Sequence, residues 1–550
     1  MNYANQNLEI GAMSPFGSNV GDARAHAAAA WTIGAALRTQ TVLRGRQPAL
    51  QHGSIVWNYA QLNERVNRLA HGLVARGIGR GDRIAVLSEN RSEYVEVDLA
   101  AAKLGAIVAC LNWRQVDAEL AYCIRLVEPA LAFVSDRHAP TLARIDHGVP
   151  RIFAFGPEYE HDLAAANFFE PPDAVDPEDG FIILYTSGTT GLPKGALISQ
   201  RAMIARGMIS SFDRPAGADD GFVAWSPMFH MGATDNMFAT LLRGGKVVVM
   251  DGFDAPGLVE IVAQERIGHL TIMPGVVEQV LLELRRTGLQ PKGIRSLGVM
   301  ADLVPRSQIA EITTLLNAPY NNSFGSTETG SPPASRGLIP VGVTPERLSK
   351  VQSSMCAVSL VDADDREVPD GEPGELTMRG PSLFTGYWRA PDVNAEEFRG
   401  GWFHMGDVFV RNPDGTLDFV DRRKYLIKSG GENIYPAEIE RVLMASPRIE
   451  EAVVVRRPDA RWGEVPVAFV VASDPAVSGD DVIELCSGKI ARYKLPKEVH
   501  FVTQADLPRN ASGKVVRADL EALLVSRPEL QITDLRRAGP PAASTAARDR

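Results

Sequence analysis

Short apolar runs and longer amphipathic stretches alternate along the first half of the chain. Runs at residues 84–87, 107–111 and 131–134 predict buried strands. Between them, apolar side chains recur at helical spacing, as at residues 62–74, which predicts helices with one buried face. Strands that alternate with helices are typical of parallel sheets covered by helices on both faces. We therefore predict an α/β fold for this part of the chain.

The remaining pattern divides the chain into four parts. Residues 1–25 carry little periodicity, which predicts a flexible tail before a helix at about 25–39. Residues 26–421 form a large N-terminal domain in this prediction. Residues 422–526 contain a few strand-like runs and helical stretches typical of a small α+β domain. The Pro-, Ala- and Arg-rich residues 527–550 predict a disordered tail.

Composition narrows the class of protein. The chain has 550 residues and a formal net charge of −10, so no overall basic field would attract nucleic acid. No apolar run is long enough for a transmembrane segment, and the N-terminus lacks the pattern of a secretory signal. Four widely spaced cysteines without metal-ligand spacing suit a reduced protein. We therefore predict a cytoplasmic protein.

A loop rich in Gly, Ser and Thr follows an apolar run at residues 181–184. Three glycines, four hydroxyls and the Lys194 ammonium suit a bound anion, for which phosphate is the usual candidate. The spacing is not that of a Walker A loop. A flexible surface turn is the alternative, but a strand that runs directly into the loop argues against it. The loop is therefore predicted to hold phosphate.

Four motifs resemble those of one known family, the adenylate-forming superfamily of acyl-CoA synthetases, adenylation domains and luciferases. Residues 185–195 match its Y-T-S-G-T-T-G-x-P-K-G signature completely. Residues 321–329 resemble its Y-G-x-T-E block, residues 404–407 its T-G-D block, and residues 508–514 its P-R-x-x-x-G-K segment. The resemblance implies a large N-terminal domain of αβ-layered sheets plus a β-rich lobe, and a small mobile C-terminal domain that rotates about Lys424.

The resemblance also implies a nucleotide site and a catalytic set. In relatives, the residue matched by Phe324 stacks on adenine, that by Asp407 binds ribose, and that by Lys514 reaches into the site during adenylation. The predicted ligands of Mg²⁺ are Thr186 and Glu328. The predicted catalytic residues are Lys514, Glu328, Thr186 and His230. The predicted ATP and AMP site comprises Thr186, Ser187, Gly188, Thr189, Thr190, Gly191, Lys194, Ser323, Phe324, Gly325, Thr327, Asp407, Arg422 and Lys514.

Residues 227–232 resemble the family's acyl-pocket segment, P-x-F-H-x-x-G. Amino-acid-activating relatives carry Asp where this chain has His230, so an α-amino acid is disfavoured. Methionines on the following helix favour a hydrophobic carboxylate of fatty, aryl, alicyclic or steroid type, with fatty or related aliphatic acids preferred. Asp235 could face the pocket or solvent. The predicted acyl pocket comprises His230, Met231, Asp235 and Ala301.

The predicted activity is that of an ATP-dependent acid–thiol ligase, which uses ATP, Mg²⁺ and coenzyme A to convert a carboxylic acid to its thioester. A Gly-rich stretch would line the tunnel for coenzyme A: Lys428, Ser429, Gly430, Gly431 and Glu432. The alternatives are an adenylation enzyme that loads a carrier protein, a luciferase-like oxygenase, and a non-catalytic nucleotide-binding homologue. A homodimer is left open. Residues 331–356 and Tyr425 depart from the family pattern.

Overall fold

The computed structural model describes residues 28–172, 174–186, 192–214, 216–429, 432–509 and 513–526. The predicted tails at 1–25 and 527–550 lie outside these residues. The described chain is a mixed α/β structure with several sheets, which confirms the predicted fold class. No helix within the described ranges is both long and apolar enough to cross a membrane.

Strands and helices alternate through the first part of the chain, as predicted. In order, they are α1 Ile33–Arg44, β1 Pro48–His52, β2 Ile55–Asn58, α2 Tyr59–Ala75, β3 Arg83–Leu87, α3 Ser92–Leu104, β4 Ile107–Cys110, α4 Asp117–Val127, β5 Leu131–Val134, α5 Ala139–Arg144, β6 Ile152–Ala154, α6 Pro157–Ala165, β7 Gly180–Thr186, β8 Lys194–Ser199 and α7 Gln200–Asp213. The prediction of one helix at about 25–39 was wrong, because residues 30–32 are not helical and α1 runs from Ile33 to Arg44, while residues 25–27 lie outside the described residues. The side chain of Thr32 accepts a hydrogen bond from the Ala35 amide, and this cap fixes the start of α1 at Ile33.

A second series of strands and helices follows. In order, its members are β9 Phe222–Ala224, α8 Met231–Arg243, β10 Val247–Val249, α9 Ala255–Gln264, β11 Ile267–Leu270, α10 Val277–Thr287, β12 Ile294–Leu297, α11 Arg306–Leu316, β13 Tyr320–Asn321, β14 Phe324–Ser326, β15 Gly330–Ala334 and β16 Leu338–Ile339, with short 3₁₀ helices at Pro274–Val276 and Ala301–Leu303.

The last part is richer in strands. Its members are β17 Ala357–Val361, β18 Pro373–Arg379, β19 Gly386–Tyr387, α12 Pro391–Glu397, β20 Phe403–Arg411, β21 Leu417–Arg422, β22 Ile427–Ser429, β23 Glu432–Ile434, α13 Pro436–Met444, β24 Ile449–Asp459, β25 Gly463–Ala472, α14 Gly479–Cys486, β26 Glu498–Phe501 and α15 Arg517–Ser526, with 3₁₀ helices at Arg399–Gly401, Arg423–Tyr425, Arg492–Lys494 and Gln504–Asp506.

A seven-stranded sheet carries the predicted phosphate loop. Its strand order is β19-β8-β7-β4-β3-β5-β6, and the strands from β7 through β6 in this order are parallel. Strand β8 is antiparallel to β7, and β19 is antiparallel to β8. The prediction of wholly parallel sheets was therefore wrong at this edge. The loop joins the two strands of a hairpin, whereas a Walker A loop joins a strand to a helix.

A smaller sheet has the order β11-β12-β13-β16. Leu270, Leu297 and Tyr320 lie on the same face of this sheet and belong to one apolar core. Because side chains alternate along a strand, their neighbours face the opposite side, towards α7 and α8. On that opposite face the side chains of His269, Ser296 and Asn321 are polar and buried.

Two further sheets lie in the last part of the described chain. Strands β17-β18-β20-β21 form an antiparallel sheet, which is the predicted β-rich lobe. Near the C-terminus, β23-β22-β25-β24 form a sheet to which β26 adds by pairing with β25. Helices α13 and α14 pack on its apolar face through Ile439, Leu443 and Val482. This C-terminal unit has its own core.

Candidate active site

The β7–β8 hairpin ends in Thr186 and Lys194, which are paired across the two strands. Of the predicted phosphate-loop residues, Ser187, Gly188, Thr189, Thr190 and Gly191 lie outside the described residues. The Nζ atom of Lys194 lies 3.9 Å from the ring centroid of Tyr387 and 3.7 Å from Oε1 of Glu397. The base of the loop is therefore held against β19 and α12.

Glu328 lies next to the same tyrosine. The Tyr387 hydroxyl donates a hydrogen bond of 2.7 Å to Oε1 of Glu328. Burial, with the negative charge of Glu328, raises the pKa of Tyr387 far above its usual value, so the hydroxyl stays a donor. Burial also raises the pKa of Glu397, while Lys194 opposes this rise and Glu328 adds to it. The side chains of Glu328, Glu397 and Lys194 thus lie close to Tyr387 near the end of the hairpin.

Phe324 lies at the start of β14 in an aromatic cluster. Its ring centroid is 4.8 Å from that of Phe409 and 5.6 Å from that of Phe419. A Cβ on the next residue, Gly325, would lie 2.0 Å from the carbonyl oxygen of Gly330, so the β14–β15 hairpin admits only glycine there. The backbone of Ser323–Gly325 is thereby fixed beside the cluster.

Asp407 is buried on β20, opposite Arg422 on β21. The Arg422 Nε atom lies 3.1 Å from Oδ1 of Asp407, an ion pair without hydrogen-bond geometry. Within the described residues, Oδ1 accepts no hydrogen bond and is free to accept one from a ligand hydroxyl. Burial raises the pKa of Asp407 to about 6, with Arg422 acting in the opposite direction.

Lys514 approaches this ion pair from the C-terminal unit. Crowding by protein atoms lowers its pKa, Arg422 and Lys424 lower it further, and the charges of Asp407 and Glu328 oppose them. The residue itself is exposed to solvent, which weakens the first of these causes. The structure therefore brings Lys514, Asp407, Arg422 and Glu328 together from four separate segments.

His230 caps the N-terminus of α8. Its Nδ1 atom accepts a hydrogen bond of 3.3 Å from the Gly232 amide. The surrounding protein lowers the pKa of His230 to about 4, and the charges of Lys514 and Arg114 add to this effect. The ring reaches solvent, which screens the first cause, but the two cations act in the same direction. The imidazole is therefore neutral at pH 7.

The other predicted acyl-pocket residues differ in their surroundings. Met231 is half-buried, and Ala301 is fully buried in a 3₁₀ helix. Asp235 is buried, and its Oδ1 atom lies 3.3 Å from the guanidinium of Arg206. The sequence left open whether Asp235 faces the pocket or the solvent. Exposure to solvent is wrong, because the carboxylate is buried and paired with a buried cation.

Arg206 is a residue that the sequence pattern did not reveal. It is fully buried on α7 and donates to the carbonyl oxygens of Ser382 and Thr327, at 3.0 and 2.9 Å, as well as to Asp235. It thus holds the backbone of predicted site residue Thr327 against the β-rich lobe. Nothing in the local sequence signals this role, since its partners lie up to 176 positions away.

The predicted hinge and tunnel residues lie at the start of the C-terminal unit. Lys424 is exposed, and its Nζ atom lies 4.9 Å from the ring centroid of Tyr425. The guanidinium of Arg517 also lies over the Tyr425 ring, with its Cζ atom 4.5 Å from the centroid. Lys428 and Glu432 are exposed and Ser429 is buried, while Gly430 and Gly431 lie outside the described residues.

Comparison with known proteins gives matches along most of the chain. The model of the family described as AMP-binding enzyme matches residues 37–388, and that of the AMP-binding enzyme C-terminal domain matches residues 438–514. The indoleacetate–CoA ligase of Aromatoleum aromaticum is 35% identical over 489 residues, which cover 86% of this chain and 95% of that protein.

Two further proteins extend the comparison. A fatty acid–[acyl-carrier-protein] ligase of Streptomyces coeruleorubidus is 32% identical, with 84% of this chain and 90% of that protein covered. The solved structure of the o-succinylbenzoate coenzyme A synthetase of Bacillus subtilis, in complex with ATP and magnesium ion, superposes with a TM-score of 0.78. It is 26% identical and covers 88% of this chain and 98% of its own.

Proposed function

Because the chain belongs to the AMP-binding enzyme family, part of the adenylate-forming superfamily that its motifs resemble, we propose that it is an AMP-forming acid–CoA ligase. The observation that carries this proposal is the convergence of Lys514, Glu328, Asp407 and Arg422 on one cleft. Two carboxylates and two cations at one place suit a nucleotide whose ribose is neutral and whose phosphates are anionic.

The reaction needs no protein nucleophile. A carboxylate oxygen of the acid attacks the α-phosphorus of ATP, and the bond from that phosphorus to the bridging oxygen breaks to release pyrophosphate. The thiol of coenzyme A then attacks the acyl carbonyl and AMP leaves. In the first step Lys514 stabilises the negative charge shared by the carboxylate and the α-phosphate, which is electrostatic catalysis by a fixed cation. The buried Oδ1 of Asp407, which accepts no hydrogen bond from a described residue, accepts one from a ribose hydroxyl.

The residues around Glu328 fit a magnesium ion. Tyr387 occupies Oε1 of this carboxylate, and among the described residues Oε2 accepts no hydrogen bond, which leaves it for a hard cation. Magnesium is commonly held by one or two carboxylates together with substrate phosphates and water, so a single glutamate suffices. Thr186 would complete the set from the end of β7. The ion neutralises phosphate charge when it is bound.

The acid would carry a hydrophobic body. Met231 lies at the start of α8, and the Met273 side chain lies close to Gly232, so flexible apolar side chains line the approach to His230. A neutral His230 beside this approach would not bind an α-ammonium group, which argues against amino acids. Similarity to an indoleacetate–CoA ligase and to a fatty acid ligase supports an aryl or alkyl acid.

The second half-reaction would involve movement of the C-terminal unit. In this proposal residues 422–526 rotate about Lys424 relative to residues 26–421, which withdraws Lys514 and brings the segment around Lys428, Ser429 and Glu432 to the thiol. The contacts of Arg517 and Lys424 with Tyr425 support a defined pivot there. A carrier-protein thiol is the alternative acceptor, because one similar protein is a ligase for an acyl-carrier protein.

The test is to incubate the full chain with ATP, magnesium, a panel of aryl and alkyl acids, and either coenzyme A or a phosphopantetheinyl carrier protein. Mass spectrometry then follows acyl-CoA, acylated carrier protein, AMP and pyrophosphate. The proposal predicts acyl-CoA and AMP in equal amounts. Acylation of the carrier protein alone would replace coenzyme A as the acceptor, and release of ADP or no product with any acid would contradict the proposal.

A further inference from the structure

A layer of polar side chains is buried on one face of the sheet β11–β12–β13. On the sheet β11–β12–β13, His269, Ser296 and Asn321 point to the face opposite Leu297 and Tyr320. His269 Nδ1 lies 3.0 Å from Ser296 Oγ. This face packs towards α7 and α8, so the polar side chains lie in the interior of the molecule.

The two helices place further polar groups opposite that face. Asn236, Thr240 and Arg243 recur at helical spacing along α8 and therefore share one side of it. Ser210 and Arg214 approach from the end of α7. Together with His269 these residues line a narrow cavity of about 10 Å³, the space that roughly one water molecule needs. We call these six residues the polar cluster.

Several atoms of this region have no hydrogen-bond partner among the described residues. They include Nε of Arg214, Nε of Arg243, Nε2 of His269 and both side-chain polar atoms of Asn321. Arg214 is buried, and its guanidinium donates to Ser210 Oγ at 2.8 Å and to Ser331 Oγ at 3.4 Å. Arg243 donates to Ser211 Oγ at 3.2 Å. Neither arginine forms an ion pair with a described carboxylate, and buried polar groups left this way are costly unless something binds them.

The balance of buried charges in this region also indicates that an anion could bind there. Three guanidinium groups, those of Arg206, Arg214 and Arg243, lie near three buried carboxylates, of which Asp213 and Asp235 act on Arg214 and Asp220 acts on Arg243. Because Asp220 is shared with two further arginines, positive charge is in excess. Burial lowers the pKa of Arg214 to about 10, which leaves it charged at neutral pH. Burial and Arg214 lower the pKa of His269, so that ring adds no charge. The nearby Asp220 is paired with Arg266 and Arg295.

One face of α8 runs from beside His230 to the polar cluster. Gly232, beside His230, shares the face of α8 that carries Asn236 and Thr240, and Asn236 Nδ2 donates to the Gly232 carbonyl at 2.8 Å. A helix rises about 1.5 Å per residue, so the backbone of Arg243, at the far end of α8, lies roughly 20 Å from that of His230, and the long Arg243 side chain can reach part of the way back. An acid held by its reacting carboxylate near His230 would extend towards the cluster.

We propose that Arg214 and Arg243 bind a second carboxylate, which the acid substrate carries at the end remote from the reacting one. This proposal rests on the ligase function proposed above and narrows its substrate to dicarboxylic acids with an apolar middle section. A carboxylate supplies the missing negative charge and accepts from guanidinium donors in a planar, bidentate geometry. Long arginine side chains can rotate to admit it into a cavity whose present volume is about that of one water molecule.

The first test uses the unmodified protein and matched acids. Octanedioate and octanoate, and corresponding pairs from butanedioate to dodecanedioate, are compared by kcat/KM for AMP release. A site built to bind a carboxylate should favour the best dicarboxylate over its matched monocarboxylate by about 100-fold or more. A kcat/KM for the monocarboxylate that equals or exceeds that for the dicarboxylate at every length would overturn the proposal. If acyl-CoA still forms from the monocarboxylates, the proposed ligase function stands.

The second test separates binding from catalysis and from folding. Arg214→Met and Arg243→Met should each remove the preference for the dicarboxylate and leave kcat/KM for the monocarboxylate unchanged or raised. Arg286→Met, which removes a guanidinium that pairs on the surface with Glu283, should keep the preference. A variant with no activity for either acid is replaced by Arg214→Lys or Arg243→Lys, which keep the charge and should retain part of the preference.

Thermal unfolding of the unmodified full chain gives a readout without turnover. The dicarboxylate should raise the midpoint of unfolding, and the matched monocarboxylate should raise it less. Inorganic phosphate that gives the same rise and abolishes the dicarboxylate effect would assign the cluster to a free anion and overturn the substrate proposal. A dicarboxylate effect without any acyl-CoA product would support the site and contradict the ligase function.

Discussion

Tyr387 donates a hydrogen bond of 2.7 Å to Glu328, although the two residues are 59 positions apart. The same ring lies beneath the ammonium of Lys194, so one aromatic side chain links the proposed magnesium ligand to the end of the phosphate-loop hairpin. This contact sets the direction of the Glu328 carboxylate before any nucleotide binds. Pre-orientation of a metal ligand by its neighbours typically contributes to metal affinity.

Substitution of Tyr387 by Phe should therefore weaken the binding of magnesium. The variant keeps the aromatic ring under Lys194 but loses a hydrogen bond to a charged group, which contributes about 1.5 to 3 kcal/mol. We expect the magnesium concentration for half-maximal activity to rise roughly 10-fold or more. Tyr493→Phe, at an exposed tyrosine beside Lys494, is the control. An unchanged magnesium titration in Tyr387→Phe would contradict this role.

Lys514→Ala should separate the two half-reactions. Loss of the ammonium removes the charge that stabilises the attacking carboxylate and the α-phosphate, so exchange of pyrophosphate into ATP should fall by about 100-fold or more. Conversion of supplied acyl-AMP to acyl-CoA should change by less than about 10-fold, because Lys514 is withdrawn in that step.

Lys489→Ala serves as the control for Lys514→Ala, since Lys489 is an exposed lysine of the same C-terminal unit. Both half-reactions should be preserved in it. Equal loss of both half-reactions in Lys514→Ala would indicate a structural role for that residue instead.

The raised pKa of Asp407 has a defined effect on stability. Its pKa is about 6 in the folded protein, above the ordinary value of 3.8, so the folded state binds the proton more tightly. The resulting contribution to stability is fully present below about pH 4 and is lost as the pH rises through about 6. Asp407→Asn should therefore raise the free energy of unfolding at about pH 8 by roughly 1 to 3 kcal/mol and change it little at about pH 4.

Urea unfolding of wild type and Asp407→Asn at the two pH values checks this prediction. Asp480→Asn, at an exposed aspartate, should show no such pH-dependent difference. The same Asp407→Asn variant should bind ATP more weakly, because an amide oxygen is a poorer acceptor for ribose hydroxyls than a carboxylate. A gain in stability at pH 4 that equals the gain at pH 8 would show that the charge of Asp407 is not its source.

Arg206→Met should destabilise the fold by about 3 to 5 kcal/mol, because it leaves the buried Asp235 carboxylate without its cation. Arg206→Met also removes the donors to Ser382 and Thr327. Arg201→Met, on the same helix but partly exposed, should cost about 1 kcal/mol or less. Urea unfolding of both variants gives the comparison. Losses of similar size in the free energy of unfolding for the two substitutions would argue against the proposed structural role of Arg206.

Local patterns in the sequence predicted much of the fold. Helix α3 follows from its apolar spacing and from Gly105, whose left-handed conformation ends it. Strand β7 follows from the apolar run at its centre. The hairpin pairing of β7 with β8 was not predicted, because the direction of a strand depends on its neighbours and not on its own residues.

The site was less accessible to sequence reasoning where it depends on distant contacts. Glu328, Asp407 and Lys514 could be named because each lies in a motif. The partners Tyr387 and Arg206 could not, since hydrogen bonds between residues 59 to 176 positions apart leave no local signal. The polar cluster was missed for the same reason. Arg214 and His269 come from different elements, and only the packing of α7 on the sheet places them together.

The central claim, formation of an acyl-adenylate, is tested most directly by acid-dependent exchange of labelled pyrophosphate into ATP in the absence of any thiol. Exchange should require an acid and magnesium, should occur without coenzyme A, and should fall by about 100-fold or more in Lys514→Ala. Acyl-CoA formation without detectable exchange, or exchange that does not depend on an acid, would contradict this claim.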